Sequence, residues 1–553
     1  MSSHSDAGAA LGLVRDTIPF SRLPWIRPLV HAYATDFPSV APLFPGNPDD
    51  AATWRTAVER VGRHPHDRQA IVSILLDQLA ARQAPPAAVD AATRLGVPGT
   101  VAVVTGQQAG LFGGPLYTLL KALGTIQVAR HVRETCGVDA VPVFWVDAED
   151  HDWNEVRTAH LLDRDFAVAD VSLDDVPGAG THPVGRLVLP TEIDAAISQL
   201  AGHLTPTEYS DALGDMLRRH YRPGVRLTTA FAGLMDELAG VHGLVVFEAD
   251  DPRAKPLVSH LFTQELARPC GTARDARAGG EAMQRLGHAP QIVPADDVVS
   301  LFYLDEGGRR SIRYRDGAFY IGDDRREATA LVAEAGAHPE RFSPNVLLRP
   351  LVQDCLFPTV CYVGGPSELA YQVQLHDVYL AFQLQAPVLV SRTSATILDS
   401  AAVKFLDKQG LPLEALQPQD ESALNRLLET LLPPALEATF ADLDGAVSAR
   451  AGQLKTIASS IDPTLSGAVD TTIDRIRETV KSLQGKIVQA SKKKDETLRR
   501  QFMRTRALAF PAGQPQERLI GIPFFLNRYG SDLPARLVEA TPAIPAAHFV
   551  LLP

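Results

Sequence analysis

Short apolar runs alternate with stretches of helical periodicity over the central part of this chain. Five of these runs have the uninterrupted, β-branched character of buried strands: VAVVT at 101–105, VPVFWV at 141–146, LVVFE at 244–248, TVCYV at 359–363 and PVLVS at 387–391. Runs of this kind, separated by helices, are typical of a parallel sheet that is covered on both faces. The pattern therefore predicts an α/β fold with right-handed crossovers.

Two segments do not follow this alternation. Residues from about 160 to 240 combine a short strand candidate, GRLVLP at 185–190, with helical stretches. Residues 301–323 alternate apolar and polar positions around Gly-Gly and Asp-Gly turns, which predicts a small antiparallel meander. We expect both segments to be insertions that decorate the sheet.

The pattern becomes helical after Gln417. Apolar residues then recur at alternating spacings of four and three, at Val469, Ile473, Ile476, Val480, Leu483, Ile487 and Ala490. This seam is typical of a coiled coil, and Asp462-Pro463 separates it from another helical stretch at 435–461. The sequence predicts an antiparallel helical hairpin, and a projecting coiled coil often forms a dimer.

These patterns divide the chain into consecutive segments. The predicted core comprises residues 1–160, 241–275 and 346–417, with insertions at 161–240 and 276–345. A helical domain at 418–510 and a C-terminal segment at 511–553, which we expect to pack back on the core, complete the chain.

Composition narrows the class of protein. With 553 residues, 45% of them hydrophobic, and a formal net charge of −12, the chain is typical of a multidomain globular protein without a general nucleic-acid surface. It has neither a secretory signal pattern at its start nor an apolar stretch long enough to span a bilayer, so we predict a cytoplasmic location and no membrane partner. Four scattered cysteines without a CxxC pair indicate reduced thiols, although a reactive role near the second glycine turn stays open for Cys355 and Cys361.

One segment departs from the acidic balance. Residues 475–506 contain eleven Lys or Arg and three acids. A solvated helix face and an anion-binding surface both fit this run.

Two Gly-Gly-Pro turns mark places where an apolar run gives way to a helical pattern. They are Gly113-Gly114-Pro115 and Gly364-Gly365-Pro366. Glycine allows close approach of a ligand to the backbone, and free N–H groups at a helix start favour an anion. The first turn matches neither the P-loop pattern nor the GxGxxG fingerprint, and a purely structural turn remains an alternative. The candidate binding residues around it are Gly106, Gln107, Gln108, Gly114 and Tyr117.

An acidic cluster follows the second apolar run. It contains Asp147, Glu149, Asp150 and His151, at the sheet edge where parallel folds bind ligands. These side chains suit an amine or sugar hydroxyls, a divalent ion that bridges phosphates, or a general base, while helix capping is the structural alternative. The zinc-peptidase pattern is absent, so we assign no metal ligands, and the metal requirement stays open.

A third group of polar residues lies in the apolar stretch 343–371. Asn345, Arg349 and Gln353 are spaced by four, which predicts one helical face. An arginine placed there can bind a carboxylate or phosphate with two N–H groups, whereas a structural Arg349–Asp354 contact is the alternative. Gly365, Glu368 and Tyr371 follow the second turn and are expected to face the same cleft.

The motifs together resemble one known family. The segments VTGQQAGLFGGPLYTLLK, PVFWVDAEDHDWNEV, FSPNVLLRPLVQDCLFPTVCYVGGPSELAY and IPFFLNRYG, in this order from about residue 100 onwards, are similar to the cysteine-adding enzyme family of bacillithiol biosynthesis. This resemblance implies a Rossmann-like core with connecting-peptide insertions and a coiled-coil domain that mediates homodimerisation. It also implies a cytoplasmic ligase that joins the carboxyl group of cysteine to the amine of glucosaminyl malate.

The resemblance also implies roles for the candidate residues. Amide formation requires an activated carboxyl group, so ATP or ADP is the expected nucleotide, although the HIGH and KMSKS signatures of class I aminoacyl-tRNA synthetases are missing. The first turn would bind substrate or phosphate, the acidic cluster would orient the amine or accept its proton, and the Arg349 group would hold a carboxylate such as that of malate. An enzyme that activates an amino acid or transfers a nucleotide to a different acceptor, and a non-catalytic scaffold acting through the coiled coil, remain alternatives.

Overall fold

The computed structural model describes residues 13–430, 434–494 and 496–553. In chain order its strands are β1 Val14–Pro19, β2 Val101–Gln107, β3 Ala140–Val146, β4 Thr158–Leu162, β5 Val168–Ser172, β6 Val245–Glu248, β7 Val298–Asp305, β8 Gly308–Arg315, β9 Ala318–Ile321, β10 Asp324–Arg326, β11 Phe342–Pro344, β12 Thr359–Gly364, β13 Val388–Ser391, β14 Ser394–Ile397 and β15 Ala547–Leu551.

The helices before residue 300 are α1 Pro28–Thr35, α2 Phe37–Val40, α3 Ala51–Arg63, α4 Arg68–Arg82, α5 Pro86–Arg94, α6 Leu116–Cys136, α7 Trp153–Val156, α8 Ile193–His203, α9 Ser210–His220, α10 Leu227–Ala239, α11 Ser259–Ala267 and α12 Gly271–Arg285. Those after it are α13 Ala328–Ala337, α14 Arg349–Leu356, α15 Pro366–Gln372, α16 His376–Ala381, α17 Ser400–Gln409, α18 Ser422–Thr430, α19 Pro434–Ile461, α20 Leu465–Lys494, α21 Glu496–Ala509, α22 Gln516–Leu519, α23 Ile522–Tyr529 and α24 Leu533–Ala540. Within the described ranges, none of these helices is long and apolar enough to cross a membrane.

The chain forms two compact units. Unit 1 comprises the residues up to Leu398 together with Pro515–Pro553, and unit 2 is Asp399–Gln514. In unit 1 the C-terminal strand β15 pairs with β1 in an antiparallel and with β14 in a parallel manner, so the end of the chain returns to the unit that contains its beginning.

The centre of unit 1 is the predicted parallel sheet. Its strand order is β13-β12-β2-β3-β6, and every neighbouring pair is parallel. All five apolar runs therefore form strands of one sheet, which confirms the Rossmann-like α/β prediction. In chain order β2, β3 and β6 extend in one direction, and β12 and β13 extend in the other. The order reverses between β2 and β12, and parallel sheets bind ligands at such a reversal, beyond the carboxyl ends of the strands.

The uninterrupted apolar runs follow from burial of both faces of this sheet. In β2, Val101 and Val103 pack into one hydrophobic cluster with residues of α3 and α6. Ala102 and Val104 point to the opposite face and pack into the second cluster. Because successive side chains alternate between faces, a strand that is covered on both sides has no polar positions.

The antiparallel meander predicted in the second insertion is present, but the strand predicted in the first insertion is not. The meander is confirmed, because β7, β8, β9 and β10 pair in sequence as antiparallel strands and β11 joins the free edge of β7. The strand predicted at 185–190 is wrong. Residues Val184–Arg186 form a 3-10 turn, and Val188 makes only an isolated bridge with Arg226. Pro190 ends this run and Pro183 lies two residues before it, and proline cannot donate a ladder hydrogen bond.

Unit 2 contains the predicted antiparallel helical hairpin. Lys455 of α19 contacts Asp470 of α20 at 2.6 Å, and Arg477 of α20 donates to Ser448 of α19 at 2.7 Å. Successive contacts run in opposite directions along the two helices, so the hairpin is confirmed. In the basic run 475–506, Asp495 and the side chains of Lys492–Lys494 lie outside the described residues.

A buried charge network joins three elements of unit 1. Arg82 at the end of α4 donates to Asp236 of α10 at 2.7 Å, to Glu248 of β6 at 3.0 Å and to the carbonyl of Val246 at 2.7 Å. Burial raises the pKa of Asp236 to about 6, although Arg82 acts in the opposite direction. Loss of the arginine would leave Asp236 buried without an ion pair, whereas Glu248 would keep Arg226 at 3.1 Å.

We therefore expect Arg82→Met to destabilise unit 1 by about 3 kcal/mol or more, because removing one partner of a buried ion pair leaves an uncompensated charge. The measurement is urea unfolding followed by tryptophan fluorescence, since Trp25, Trp54, Trp145 and Trp153 all lie in unit 1. As the control, Arg63→Met removes the exposed Arg63–Glu59 pair and should change stability by less than about 0.5 kcal/mol. Equal effects of the two substitutions would contradict the assignment.

Candidate functional site

The residues that follow β2 and β12 lie next to each other at the reversal point of the sheet. Thr105 of β2 donates its hydroxyl to the carbonyl of Val363 in β12 at 2.7 Å. Gly106 and Gly364 are the next residues of these two neighbouring strands. The candidate residues around the two turns, which are far apart in the sequence, therefore meet at one edge of the sheet.

Lys121 joins the two groups directly. This buried lysine of α6 donates to the carbonyl of Gly106 and to Oε1 of Gln107, each at 2.8 Å, and forms an ion pair with Glu368 of α15. Glu368 also accepts hydrogen bonds from the Tyr362 hydroxyl at 2.6 Å and the Gly365 N–H at 2.7 Å. Burial favours the neutral acid, but Lys121 and these donors hold the pKa of Glu368 below its ordinary value.

Sequence reasoning missed Lys121. The signal was a single lysine within the apolar helical stretch PLYTLLKALG, where a charged residue needs a buried partner. Its partner, Glu368, was among the candidates, but nothing local in the sequence connects the two.

The two Gly-Gly-Pro turns differ in conformation. Gly113 and Gly114 have φ of +94° and +70°, in the left-handed region that favours glycine. Gly364 and Gly365 are not in this region, and Gly364 is instead closely packed, since a Cβ there would lie 3.1 Å from Glu368. Proline begins the helix only in the second turn, because Pro115 precedes α6 while Pro366 is the first residue of α15.

The donors of both turns are engaged by the chain itself. The N–H groups of Gly113, Gly114 and Leu116 donate to the carbonyls of Gly110, Leu111 and Ile520, respectively. At the second turn the Gly365 N–H donates to the Glu368 side chain. These four N–H groups are therefore not free for a ligand in this conformation, and anion binding at the two turns stays a prediction.

Gln107 and Gln108 connect to different sides of the site. Gln107 donates to the Tyr117 hydroxyl at 3.0 Å, on the side of the second turn. Gln108 donates to Asp150 at 2.7 Å and to Glu155 at 2.8 Å, on the acidic side. Burial raises the pKa of Tyr117 to about 12, so its hydroxyl is a neutral hydrogen-bonding group.

The acidic cluster divides into a buried residue and cleft residues. Glu149 is buried and forms an ion pair with Lys255, which also donates to the carbonyl of Phe342 at 3.1 Å. Asp147, Asp150 and His151 are partly accessible. The carboxylate of Glu149 is thus occupied by a structural partner, while the others face the edge of the sheet.

Arg309 brings a positive charge from the insertion to this cluster. It extends from β8, packs over the ring of Phe302 at 3.8 Å and donates to Ser343 at 3.2 Å. Its Nη1 lies 3.3 Å from Nδ1 of His151 and 3.5 Å from Asp150. Sequence analysis missed this residue because the meander pattern predicts a sheet but not which of its arginines reaches the core.

Arg349 is buried and has only neutral hydrogen-bond partners. Its Nη2 donates to the Tyr371 hydroxyl at 2.8 Å, and its Nη1 donates to Gln353 at 3.4 Å. In the part of the chain that the structure describes, no carboxylate forms an ion pair with it. The alternative Arg349–Asp354 contact does not form, because Asp354 accepts from Tyr379 at 2.6 Å and from Gln353 at 3.2 Å.

The predicted helical face contains two of its three residues. Arg349 and Gln353 lie on α14, whereas Asn345 precedes the helix. Its side-chain oxygen accepts the N–H groups of Leu347 and Leu348 at 2.9 and 3.3 Å, so it stabilises the turn that leads into α14. Asparagine commonly bonds to nearby backbone in this way, which interrupts the period-four pattern.

The pKa of Asp147 depends on its burial and on the charges of the residues around it. Burial raises the pKa of its carboxyl group, and Asp150 and Glu149 add to this effect. Arg349 and Arg309 act in the opposite direction without cancelling it. A carboxylate that holds a proton more readily than usual, at a ligand-binding edge, suits a role in proton transfer.

The two cysteines near the second turn are not activated thiols. Burial raises the pKa of Cys355 to about 12 and raises that of buried Cys361 well above its ordinary value, so neither is an activated nucleophile. No cluster of three or more His, Cys, Asp or Glu side chains within the described ranges is arranged to hold a metal ion.

Comparisons with known proteins identify close relatives. The family model "Bacillithiol biosynthesis BshC, N-terminal Rossmann-like domain" matches residues 15–393, and "Bacillithiol biosynthesis BshC, C-terminal coiled-coil domain" matches residues 395–552. A Salinibacter ruber protein named "Putative cysteine ligase BshC" is 34% identical over 530 residues, which are 94% of this chain and 95% of the relative. Proteins of the same name from Koribacter versatilis and Symbiobacterium thermophilum are 32% and 31% identical, over 81% and 93% of this chain and 83% and 95% of their own.

One solved structure is a weaker match. A protein titled putative arginyl-tRNA synthetase, from Campylobacter jejuni, aligns over 82% of this chain and 99% of its own at 8% identity. Its TM-score of 0.20 carries no argument about the fold.

The raised pKa of Asp147 predicts a stabilising substitution in the site. The Asp147 carboxyl group loses its proton more readily in the unfolded state than in the folded one. Its ionisation therefore lowers the free energy of unfolding as pH rises above its ordinary pKa of 3.8, and this loss of stability is complete above the pKa in the folded state. Asp147→Asn should therefore raise the melting temperature at pH 7, and the gain should disappear as pH falls below 3.8. Asp174→Asn, at an exposed position, is the control and should have no such effect. A lower melting temperature of the Asp147 variant at pH 7 would argue against the assignment.

Proposed function

Because this chain belongs to the BshC family of bacillithiol biosynthesis, we propose that it is a cysteine ligase. In this proposal it forms an amide bond between the carboxyl group of cysteine and the amine of glucosaminyl malate, after ATP-dependent activation. The observation that carries the proposal is the match of both family domains along the chain, together with full-length relatives named as cysteine ligases. The geometry at the reversal point of the sheet supports roles for individual residues.

Arg349 binds a carboxylate of the malyl group in this scheme. Asp147 and Glu368 stabilise its positive charge and hold its pKa above the ordinary value, but neither forms an ion pair with it, and a ligand carboxylate would bond directly to two of its N–H groups. Tyr371 and Gln353 hold the guanidinium in place through their hydrogen bonds.

Asp147 and Asp150 orient the amine of glucosaminyl malate. The amine attacks the activated carboxyl group only in its neutral form, so a proton must be accepted at or before attack. The raised pKa of Asp147 suits it as the acceptor. Asp150 is held by Gln108, and Arg309 contacts both Asp150 and His151, so these residues position the polar edge around the amine.

ATP would activate the cysteine carboxyl group by providing it with a better leaving group. The residues near Tyr117 fit an anionic ligand, although the buried Arg392 is committed to Glu517 at 2.8 Å. Arg518 is close enough to act on the pKa of Tyr117, and its guanidinium has no hydrogen bond or ion pair within the described chain. We assign Arg518 to a phosphate group of the nucleotide.

Homodimerisation through unit 2 is part of the proposal. On the hairpin, large apolar side chains are exposed on both helices, including Leu454 and Ile457 of α19 and Ile476 and Leu483 of α20. Val469 and Val480 of the same seam are partly covered within the hairpin. The apolar seam is therefore wider than one hairpin covers, and a second copy with the same surface would bury the remainder.

The substrate role of Arg349 predicts a selective kinetic defect. In an assay that detects the amide product by mass spectrometry, Arg349→Gln should raise KM for glucosaminyl malate by roughly thirtyfold or more, because loss of a buried charged contact costs several kcal/mol. The KM for cysteine should change little. Arg285→Gln, at an exposed position on α12, is the matched control.

Two results would contradict this proposal. An unchanged KM for glucosaminyl malate in a folded Arg349 variant would remove that residue from the substrate site. Absence of amide product from wild-type protein, with ATP-dependent pyrophosphate release on another amino acid or acceptor, would reject the ligase assignment itself.

The apolar seam predicts the oligomeric state. Wild-type protein should elute with the mass of two chains in size-exclusion chromatography with light scattering. The double substitution Ile476→Glu and Leu483→Glu should shift it to one chain without loss of helical content, because charges would be buried in the seam. Ser482→Glu, at an exposed neighbouring position, should leave the dimer intact. A wild-type mass of one chain would overturn the proposal.

A further inference from the structure

A cavity lies near the amino-terminal end of β12, opposite the carboxyl ends of the strands where the proposed substrate site lies. It encloses about 280 Å³ and is lined by the end of α3, the end of α14, the start of β12 and the loop at 383–385. Thr359, in its wall, is the first residue of β12, whereas Gly364 at the substrate edge is the last. At about 3.3 Å per residue these two levels are roughly 16 Å apart. The cavity is therefore separate from the proposed substrate site.

Arg60 in this cavity has no partner. Within the described chain its guanidinium donates no hydrogen bond and forms no ion pair, and its Nη2 atom is buried. Asp354 is the nearest acid in electrostatic terms, but its carboxylate already accepts from Tyr379 and Gln353. Buried guanidinium groups are normally paired, and an unsatisfied one is costly.

Two acids line the cavity beside Arg60, but neither forms an ion pair with it: Asp354 accepts from Tyr379 and Gln353, and Glu59 lies 4.0 Å from Arg63. Arg63 also lines the cavity, and its only ion pair in the described residues is a 4.0 Å contact with exposed Glu59. His64 and His66 lie beside it, and burial lowers the pKa of both, so they are neutral hydrogen-bonding groups at pH 7.

We propose that this cavity is a second ligand site, which binds a small oxyanion through the guanidinium of Arg60, assisted by Arg63 and His64. The planar fork of arginine matches the oxygen atoms of a carboxylate or a phosphate group. The volume is at the lower limit of ligand pockets, so the ligand is a small molecule or one anionic group of a larger one. Nothing in this inference requires the ligase assignment, because it concerns different residues at a different edge.

The inference is tested by isothermal titration calorimetry with inorganic phosphate and, separately, with malate at low ionic strength. Wild-type protein should bind at least one of them saturably, and Arg60→Gln should weaken that binding roughly tenfold or more, as expected for charged hydrogen bonds. Arg60→Lys, which retains the charge but not the fork, should give an intermediate affinity. A response to phosphate alone or to malate alone identifies which oxyanion the site accepts.

Matched variants separate this site from the substrate site. Arg349→Gln should retain the Arg60-dependent binding, and so should Arg55→Gln, an exposed arginine on the same helix. Tryptophan fluorescence reports directly on folding of the Arg60 variants, because Trp54 is buried on α3. The proposal is overturned if wild-type protein binds neither probe saturably, if folded Arg60 variants bind like wild type, or if only Arg349→Gln abolishes binding.

Discussion

The ion pair between Lys121 and Glu368 is the interaction on which the site depends. It connects the helix that follows β2 to the helix that follows β12, directly above the point where the strand order reverses. The lysine also donates a hydrogen bond to the carbonyl of Gly106 in β2, and the glutamate accepts one from the N–H of Gly365 at the start of its own helix. Buried charges tolerate few geometries, because each must find its partner and its hydrogen bonds together. This pair therefore fixes the distance between the two walls of the crevice.

Some of the buried charges around this ion pair have a partner of opposite charge within the chain, and others do not. Glu149 and Glu368 are paired within the chain, whereas Arg349 is buried without a carboxylate and Asp147 retains a raised pKa. Paired charges stabilise the architecture, and unpaired ones lower stability while remaining available to a ligand. This division is typical of binding sites, where electrostatic preorganisation conflicts with folding stability. The same reasoning distinguishes Arg60 at the other edge of the sheet from the paired surface arginines.

Much of the architecture could be predicted from the sequence. The five apolar runs, the meander and the helical hairpin are all present, because each depends on a periodicity within a short segment. The failed strand at 185–190 lies between prolines, and the failed third position of the α14 face is Asn345, which bonds to local backbone. In both cases local hydrogen-bonding chemistry outweighed the hydrophobic period. At the two Gly-Gly-Pro turns, the N–H groups of Gly113, Gly114 and Gly365 bond to nearby residues, and that of Leu116 bonds to the distant Ile520, which no local pattern indicates.

The sequence by itself determined the fold class, the family and most of the residues near the reversal point of the sheet. Only the tertiary structure decided which of their charges are paired. Lys121 meets Glu368, Lys255 meets Glu149, and Arg309 reaches the acidic edge from an insertion. Hydrophobic periodicity is a local property that can be recognised in the sequence, whereas an ion pair joins residues that only the folded chain brings together. Whether a charged residue is a structural partner or a free binding group is therefore a property of the fold.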